Sequence, residues 1–130
     1  MTASVPGPAR ILVVEDDSIT LEVTAAVLEH YGYVVSKAYD GLQALAACAA
    51  EVPDLVLLNV MMPRMDGFET CRRIRADPTT AHIPVVMVTG QCSDASRAKG
   101  FEAGADDYFT KPVHNLALVE RVRSLLAQKR

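Results

Sequence analysis

Apolar positions along this chain follow two different periods. Ile11 to Val14, Leu55 to Leu58 and Ile83 to Val88 are short, continuous apolar runs. They are too brief for helices and lack polar alternation, which predicts strands covered on both faces. Tyr33 to Lys37 and Tyr108-Phe109 are shorter strand candidates. Between the strands the period lengthens. Leu21, Thr24, Ala25 and Leu28 recur at i, i+3, i+4 and i+7, one face of a helix that Asp17 or Ser18 can cap and Gly32 stops. An Ala-rich helix follows from Asp40 to about Glu51, and Pro53 forbids its continuation. Gly67 to Ala76 is a third helix carrying Phe68, Cys71 and Ile74 inward, closed by the turn signal Asp77-Pro78. Ser93 or Asp94 caps a fourth that ends around Gly100 to Gly104. His114 or Asn115 starts a fifth, with Val119, Val122 and Leu126 as its inward stripe.

Five strand–helix units in alternation predict an α/β fold with a parallel sheet, right-handed crossovers and helices on both faces. The first, third and fourth strands are the most apolar and belong at the centre. That gives the doubly wound, flavodoxin-like order 2-1-3-4-5, whose ligand crevice lies beside strands one and three. The C-terminal strand ends then bring together Glu15 and Asp16, Asn59, Thr89 and Lys111. Adjacent carboxylates repel each other unless a cation sits between them, and hard oxygens of this kind suit Mg²⁺. Lysine adds a point charge and threonine a hydroxyl, the parts for holding a phosphoryl group beside a divalent ion. Each piece alone is ordinary: Glu-Asp-Asp after a strand is most often solvated turn and cap chemistry, and Lys-Pro or Thr-Gly is a turn. Their convergence at one edge of one deduced topology is what carries weight.

Composition narrows the classes further. A chain of 130 residues, 50% hydrophobic, is long enough for one domain with a proper core and has no stretch of membrane-spanning length. A net charge of −3 argues against nucleic acid as the direct partner. Cys48, Cys71 and Cys92 are widely spaced and form no Cys-x-x-Cys pair, which suits a reduced, cytoplasmic protein. His30, His82 and His114 are scattered and lend no support to a zinc site. Residues 1–9 are small and polar, read as a flexible tail ahead of a single domain over 10–130. Cys92, after the fourth strand, has no charge partner in sequence and is assigned no reactive role.

Four segments together resemble the receiver domain of a two-component response regulator. They are Ile-Leu-Val-Val-Glu-Asp-Asp (11–17), Asp-Leu-Val-Leu-Leu-Asn-Val-Met-Met-Pro-Arg-Met-Asp-Gly (54–67), Ile-Pro-Val-Val-Met-Val-Thr (83–89) and Gly-Ala-Asp-Asp-Tyr-Phe-Thr-Lys-Pro (104–112). In this order and spacing they are highly specific, and the match covers Arg10 to Lys129. The resemblance implies that Glu15 and Asp16 form the acidic pair around Mg²⁺, Asp16 directly and Glu15 by way of water. Asn59 would also ligate the ion and Met61 would offer it a backbone carbonyl, while Thr89 and Lys111 would bind phosphoryl oxygens. Tyr108 would be the aromatic switch that rotates inward when Thr89 is drawn toward the phosphoryl group. The Lys111-Pro112 bond would be cis. The implied partners are a histidine kinase or histidine phosphotransfer protein, and an effector read on the face made by the fourth helix, fifth strand and fifth helix. A homodimer is compatible with that scheme, and no membrane partner is expected.

The departure is Asn59, which stands where the family has its phosphoacceptor aspartate. A carboxylate oxygen can attack the phosphorus of a phosphohistidine donor, whereas an amide nitrogen lone pair is delocalised into the carbonyl and is a poor nucleophile. With aspartate at 59 the pocket would carry three carboxylates against +3 from Mg²⁺ and Lys111; with Asn59 only two remain, which predicts weaker Mg²⁺ binding. The otherwise complete pocket favours an acceptor aspartate replaced by its near-isostere, leaving a non-phosphorylatable receiver with no catalytic residue as written. The alternative is a natural pseudo-receiver that docks a partner without phosphate. A flavin carrier on this topology is disfavoured because Glu15-Asp16-Asp17 would repel a flavin phosphate, and a hydrolase built on Asp16 or Asp17 lacks a recognisable second acid. Gly90 stands where the family more often has a small residue such as alanine, which loosens that loop. The chain ends directly after the fifth helix, as a stand-alone receiver or one cut from a longer protein.

Overall fold

The computed structural model describes residues 7–91 and 93–128, so most of the tail expected over 1–9, and Cys92, lie outside the described residues. Strands and helices alternate as β1 (Arg10–Val14), α1 (Ser18–His30), β2 (Val34–Ala38), α2 (Gly41–Ala50), β3 (Leu55–Asn59), α3 (Gly67–Ala76), β4 (Val85–Thr89), α4 (Asp94–Ala103), β5 (Asp107–Thr110) and α5 (Asn115–Gln128). All strands run parallel in the order β2-β1-β3-β4-β5, as the apolar content of β1, β3 and β4 predicts. The pleat explains why those runs are continuously apolar. Leu12, Val14, Val56, Leu58, Val85 and Met87 point into a core beneath α2, α3 and α4. Their neighbours Ile11, Val13, Leu55, Leu57, Val86 and Val88 point into a second core beneath α1 and α5. The register pairs Val14 with Leu58, Asn59 with Val88 and Thr89 with Thr110, so the three inner strand ends and β5 finish along one edge.

Local signals decide the helix ends. Asp17, Asp40, Asp66 and Ser93 cap α1 to α4, each accepting a hydrogen bond from a backbone N–H three residues on. Gly104, at φ 113°, closes α4 with its N–H returned to the Phe101 carbonyl, so the helix runs through Gly100. Four expectations need correction. β2 spans Val34–Ala38, one residue further along than the expected 33–37. β4 begins at Val85, two residues later than Ile83, because Pro84 has no N–H to give the ladder. The strand at 108–109 extends by one residue on each side. On α5, Leu126 is only partly buried, and the inward stripe is Leu118, Val119, Val122 and Leu125, which continues the 3.6-residue period from the helix's own start.

Cys48 and Cys71 are both buried under α2 and α3. Burial pushes both thiols up, that of Cys71 to about 11. Neither should react with a thiol reagent at pH 8 in the native chain, and both should react on unfolding. The unfolded chain loses its Cys71 proton near the ordinary thiol value and the folded chain only near 11. Stability therefore falls as pH rises through that window, which a series of urea melts between pH 8 and 11 would read.

Candidate functional site

The loop from β1 to α1 is the first piece of the site. Asp17 is drawn away as the cap of α1, accepting from the Thr20 hydroxyl and, at 3.2 Å, from the Thr20 N–H. Those bonds, the hydroxyl's foremost, hold its carboxyl below the usual carboxylate range. Glu15 instead is buried, with 5% of its surface exposed, and Asp16 lies on the rim.

Asn59, 6% exposed at the end of β3, is the point on which the others converge. Its Nδ2 donates to Glu15 Oε2 at 3.2 Å, Asp16 Oδ1 at 3.1 Å and the Met61 carbonyl at 3.0 Å. All three are acceptors only, so the amide nitrogen and not its oxygen must face them. Lys111 Nζ donates to Glu15 Oε1 at 2.9 Å, and the Asp17 N–H to Glu15 Oε2 at 3.1 Å. The buried carboxylate is thus bonded at both oxygens, as burial requires. Two carboxylates and one carbonyl aimed at one point form a set of hard oxygen donors. That donor set fits a small divalent cation completing its shell with water.

The β3–α3 loop holds the carbonyl in place. Met61 exposes 54% of its surface while its main-chain oxygen turns to Asn59. Arg64 takes a left-handed φ of 68°, and its guanidinium donates to Asp40 Oδ2 at 3.0 Å. Gly67 closes the loop by donating to the Val60 carbonyl at 2.8 Å, with its Cα so near β3 that a Cβ would lie 2.6 Å from the Asn59 carbonyl oxygen.

Thr89 and Tyr108 belong to an adjoining cluster. Thr89 is wholly buried, and its Oγ1 accepts from the Gln91 N–H at 3.2 Å. Tyr108, 3% exposed, points inward and donates its hydroxyl to the Gln91 carbonyl at 3.1 Å. Gln91 is a residue that sequence reasoning missed, because it acts through its backbone, which its side chain does not advertise. The Lys111-Pro112 bond is cis, and the Lys111 N–H reaches the Thr89 carbonyl at 2.7 Å. A cavity of about 460 Å³ runs from Glu15, Asn59 and Lys111 down between α1 and α5, over Val13, Leu57 and Val88. Gly90 lies in open space, so Gly90→Ala meets no atom. That substitution should raise stability by about 0.5 kcal/mol by narrowing the unfolded ensemble, readable as a higher urea midpoint at unchanged m.

Residues 11–123 match the family model described as the response regulator receiver domain. The chain belongs to that family. Over 117 residues, 90% of its length, it is 50% identical to the response regulator PleD of Caulobacter vibrioides, of which it spans 26%. Among solved structures it resembles the response regulator receiver domain protein from Methanospirillum hungatei JF-1. There the TM-score is 0.88 at 32% identity, covering 95% of this chain and 97% of that one. The receiver domain of the sensor histidine kinase PA1611 from Pseudomonas aeruginosa PAO1, with a magnesium ion coordinated in its active-site cleft, aligns at a TM-score of 0.86. Its identity is 28%, covering 93% of this chain and 99% of that one. The receiver fold is a signalling domain, and two-component signalling is the setting of this chain. Among the described residues no helix is long and apolar enough to cross a membrane.

Proposed function

We propose that this receiver operates in a phosphorelay in a form that does not itself accept a phosphoryl group. The observation that carries the reading is Asn59, an amide at the focus of Glu15, Asp16, Met61 and, through Glu15, Lys111. Glu15, Asp16 and the Met61 carbonyl would hold Mg²⁺, which supplies charge neutralisation for an incoming phosphoryl group. With aspartate at 59, Thr89 and Lys111 would receive its oxygens, and Tyr108 would respond to their occupancy. The kinase or phosphotransfer partner would meet the strand-end edge, and an effector, or a second copy of the chain, the face of α4, β5 and α5. A cytoplasmic location agrees with this chemistry. The residues 10–130 act as one unit in the proposal.

Asn59→Asp with acetyl phosphate and Mg²⁺ should yield one covalently attached phosphoryl group by mass spectrometry, while the parent chain gains none. An unmodified Asn59→Asp chain under those conditions would sink the reading. The same replacement should tighten Mg²⁺ by about tenfold or more, worth roughly 1.4 kcal/mol, because it restores a third negative charge to the pocket. Equal affinities in a titration would defeat the electrostatic account. A second reading, a phosphate-independent docking module, is favoured by one observation: an amide nitrogen, which is a poor nucleophile, is what faces the Glu15, Asp16 and Met61 oxygens. On that reading an effector's affinity is the same for the parent chain and for Asn59→Asp with or without donor.

A further inference from the structure

Among the described residues Arg64 alone combines a side chain with a positive φ, at 68°. That conformation crowds a Cβ against its own backbone, and a glycine would hold the same turn without strain. The exposed guanidinium gains no more from an ion pair than the backbone loses, so stability does not account for an arginine here. Its contacts point to another use. Nη2 donates to Asp40 Oδ2 at 3.0 Å, which ties the β3–α3 loop to the cap of α2. Asp40 is itself fixed, because its Oδ1 accepts the Gln43 N–H at 2.7 Å. The next residue on each side repeats the attachment: a Cβ on Gly41 would lie 2.9 Å from Met65 Sδ. At its two ends the loop is closed by the Gly67 N–H on the Val60 carbonyl. The Met61 carbonyl, bonded to Asn59 Nδ2, lies on the stretch of chain between Val60 and Arg64, the two points of attachment.

We propose that Arg64, latched to Asp40, is a positioning residue that keeps the Met61 carbonyl aimed where Glu15 and Asp16 converge, and so sets the affinity for a divalent cation. This rests on the cation-binding reading of that site. Arg64 acts through the backbone of its loop, and Asp40 joins the site from beyond the outer strand β2. The sign of the effect separates this role from simple charge. Removing a positive side chain near a cation site should by charge alone tighten Mg²⁺, whereas loss of the latch weakens it. Removing the charge of Asp40 weakens Mg²⁺ on either account, so Arg64 is the deciding residue.

The test titrates the full chain with MgCl₂ by calorimetry, as parent, Arg64→Ala, Asp40→Asn and the double variant. Asparagine caps a helix as well as aspartate, so Asp40→Asn keeps the start of α2 and removes the ion pair. Each single variant should weaken Mg²⁺ several-fold, and the double variant should bind no more weakly than the worse single. An Arg64→Ala chain that binds Mg²⁺ as tightly as the parent, or more tightly, overturns the proposal. So do losses that simply add in the double variant. A second measurement needs no metal. Amide hydrogen exchange in EDTA should quicken several-fold at Met65 and Gly67 in Arg64→Ala, while Leu57 and Leu58 in β3 keep the parent's rates. Unchanged rates at Met65 and Gly67, or a uniform rise that includes β3, would show that Arg64 does not hold the loop. A parent chain with no heat of Mg²⁺ binding strikes the cation reading and with it the effect on affinity, while the exchange rates still decide the latch.

Discussion

Without a divalent cation, Asn59→Asp should cost about 2–4 kcal/mol of stability at pH 7, and Mg²⁺ should restore it. In the parent, Nδ2 donates to three acceptors, two of them carboxylates. The substitution turns that donor into an acceptor. Bonds worth roughly 1 kcal/mol each are lost, and a new carboxylate comes within hydrogen-bonding distance of Glu15 and Asp16. Like charges about 3 Å apart repel by roughly 5 kcal/mol at an effective dielectric constant near 20. Lys111, 2.9 Å from Glu15, offsets part of this. The contact with buried Glu15 dominates, because Asp16 is exposed and screened by water. A cation at 100 times its dissociation constant returns about 2.7 kcal/mol. Urea melts in EDTA and in excess Mg²⁺ separate the two contributions. An aspartate form as stable as the parent in EDTA would remove the amide from its central place.

Gly67→Ala should be comparably severe, at about 3 kcal/mol, and should also abolish the cation site. The added Cβ would meet the Asn59 carbonyl oxygen at 2.6 Å and Val60 Cα at 2.7 Å. Both are backbone atoms of β3 and its exit, fixed by the sheet, so no side chain can rotate aside. Relief requires α3 to lift from the strand, which breaks the Gly67–Val60 hydrogen bond and swings the Met61 carbonyl away from Asn59. The loss is therefore one of stability and of Mg²⁺ affinity together. Gly90→Ala is the control, since nothing lies near that position. A Gly67→Ala chain that keeps its urea midpoint would show that the loop yields more easily than its contacts imply.

The sequence by itself determined the architecture. Continuous apolar runs force strands covered on both faces, intervening helices force parallel pairing, and the strongest runs force β1, β3 and β4 to the centre. Once that order holds, Glu15, Asp16, Asn59 and Lys111 must share an edge, because parallel strands end together. Asn59 was legible for the same reason, as a polar side chain at a position the topology singles out. What only the tertiary structure decided lies in directions and backbone groups. Which carboxylate is buried, that the amide nitrogen faces the oxygens, and that Gln91 serves both Thr89 and Tyr108 through its peptide depend on distances of about 3 Å between atoms no pattern encodes. Gly100 shows the limit well. The sequence places the helix end between Gly100 and Gly104, and only the structure decides that left-handed Gly104 closes α4 while Gly100 packs against the Tyr108 ring.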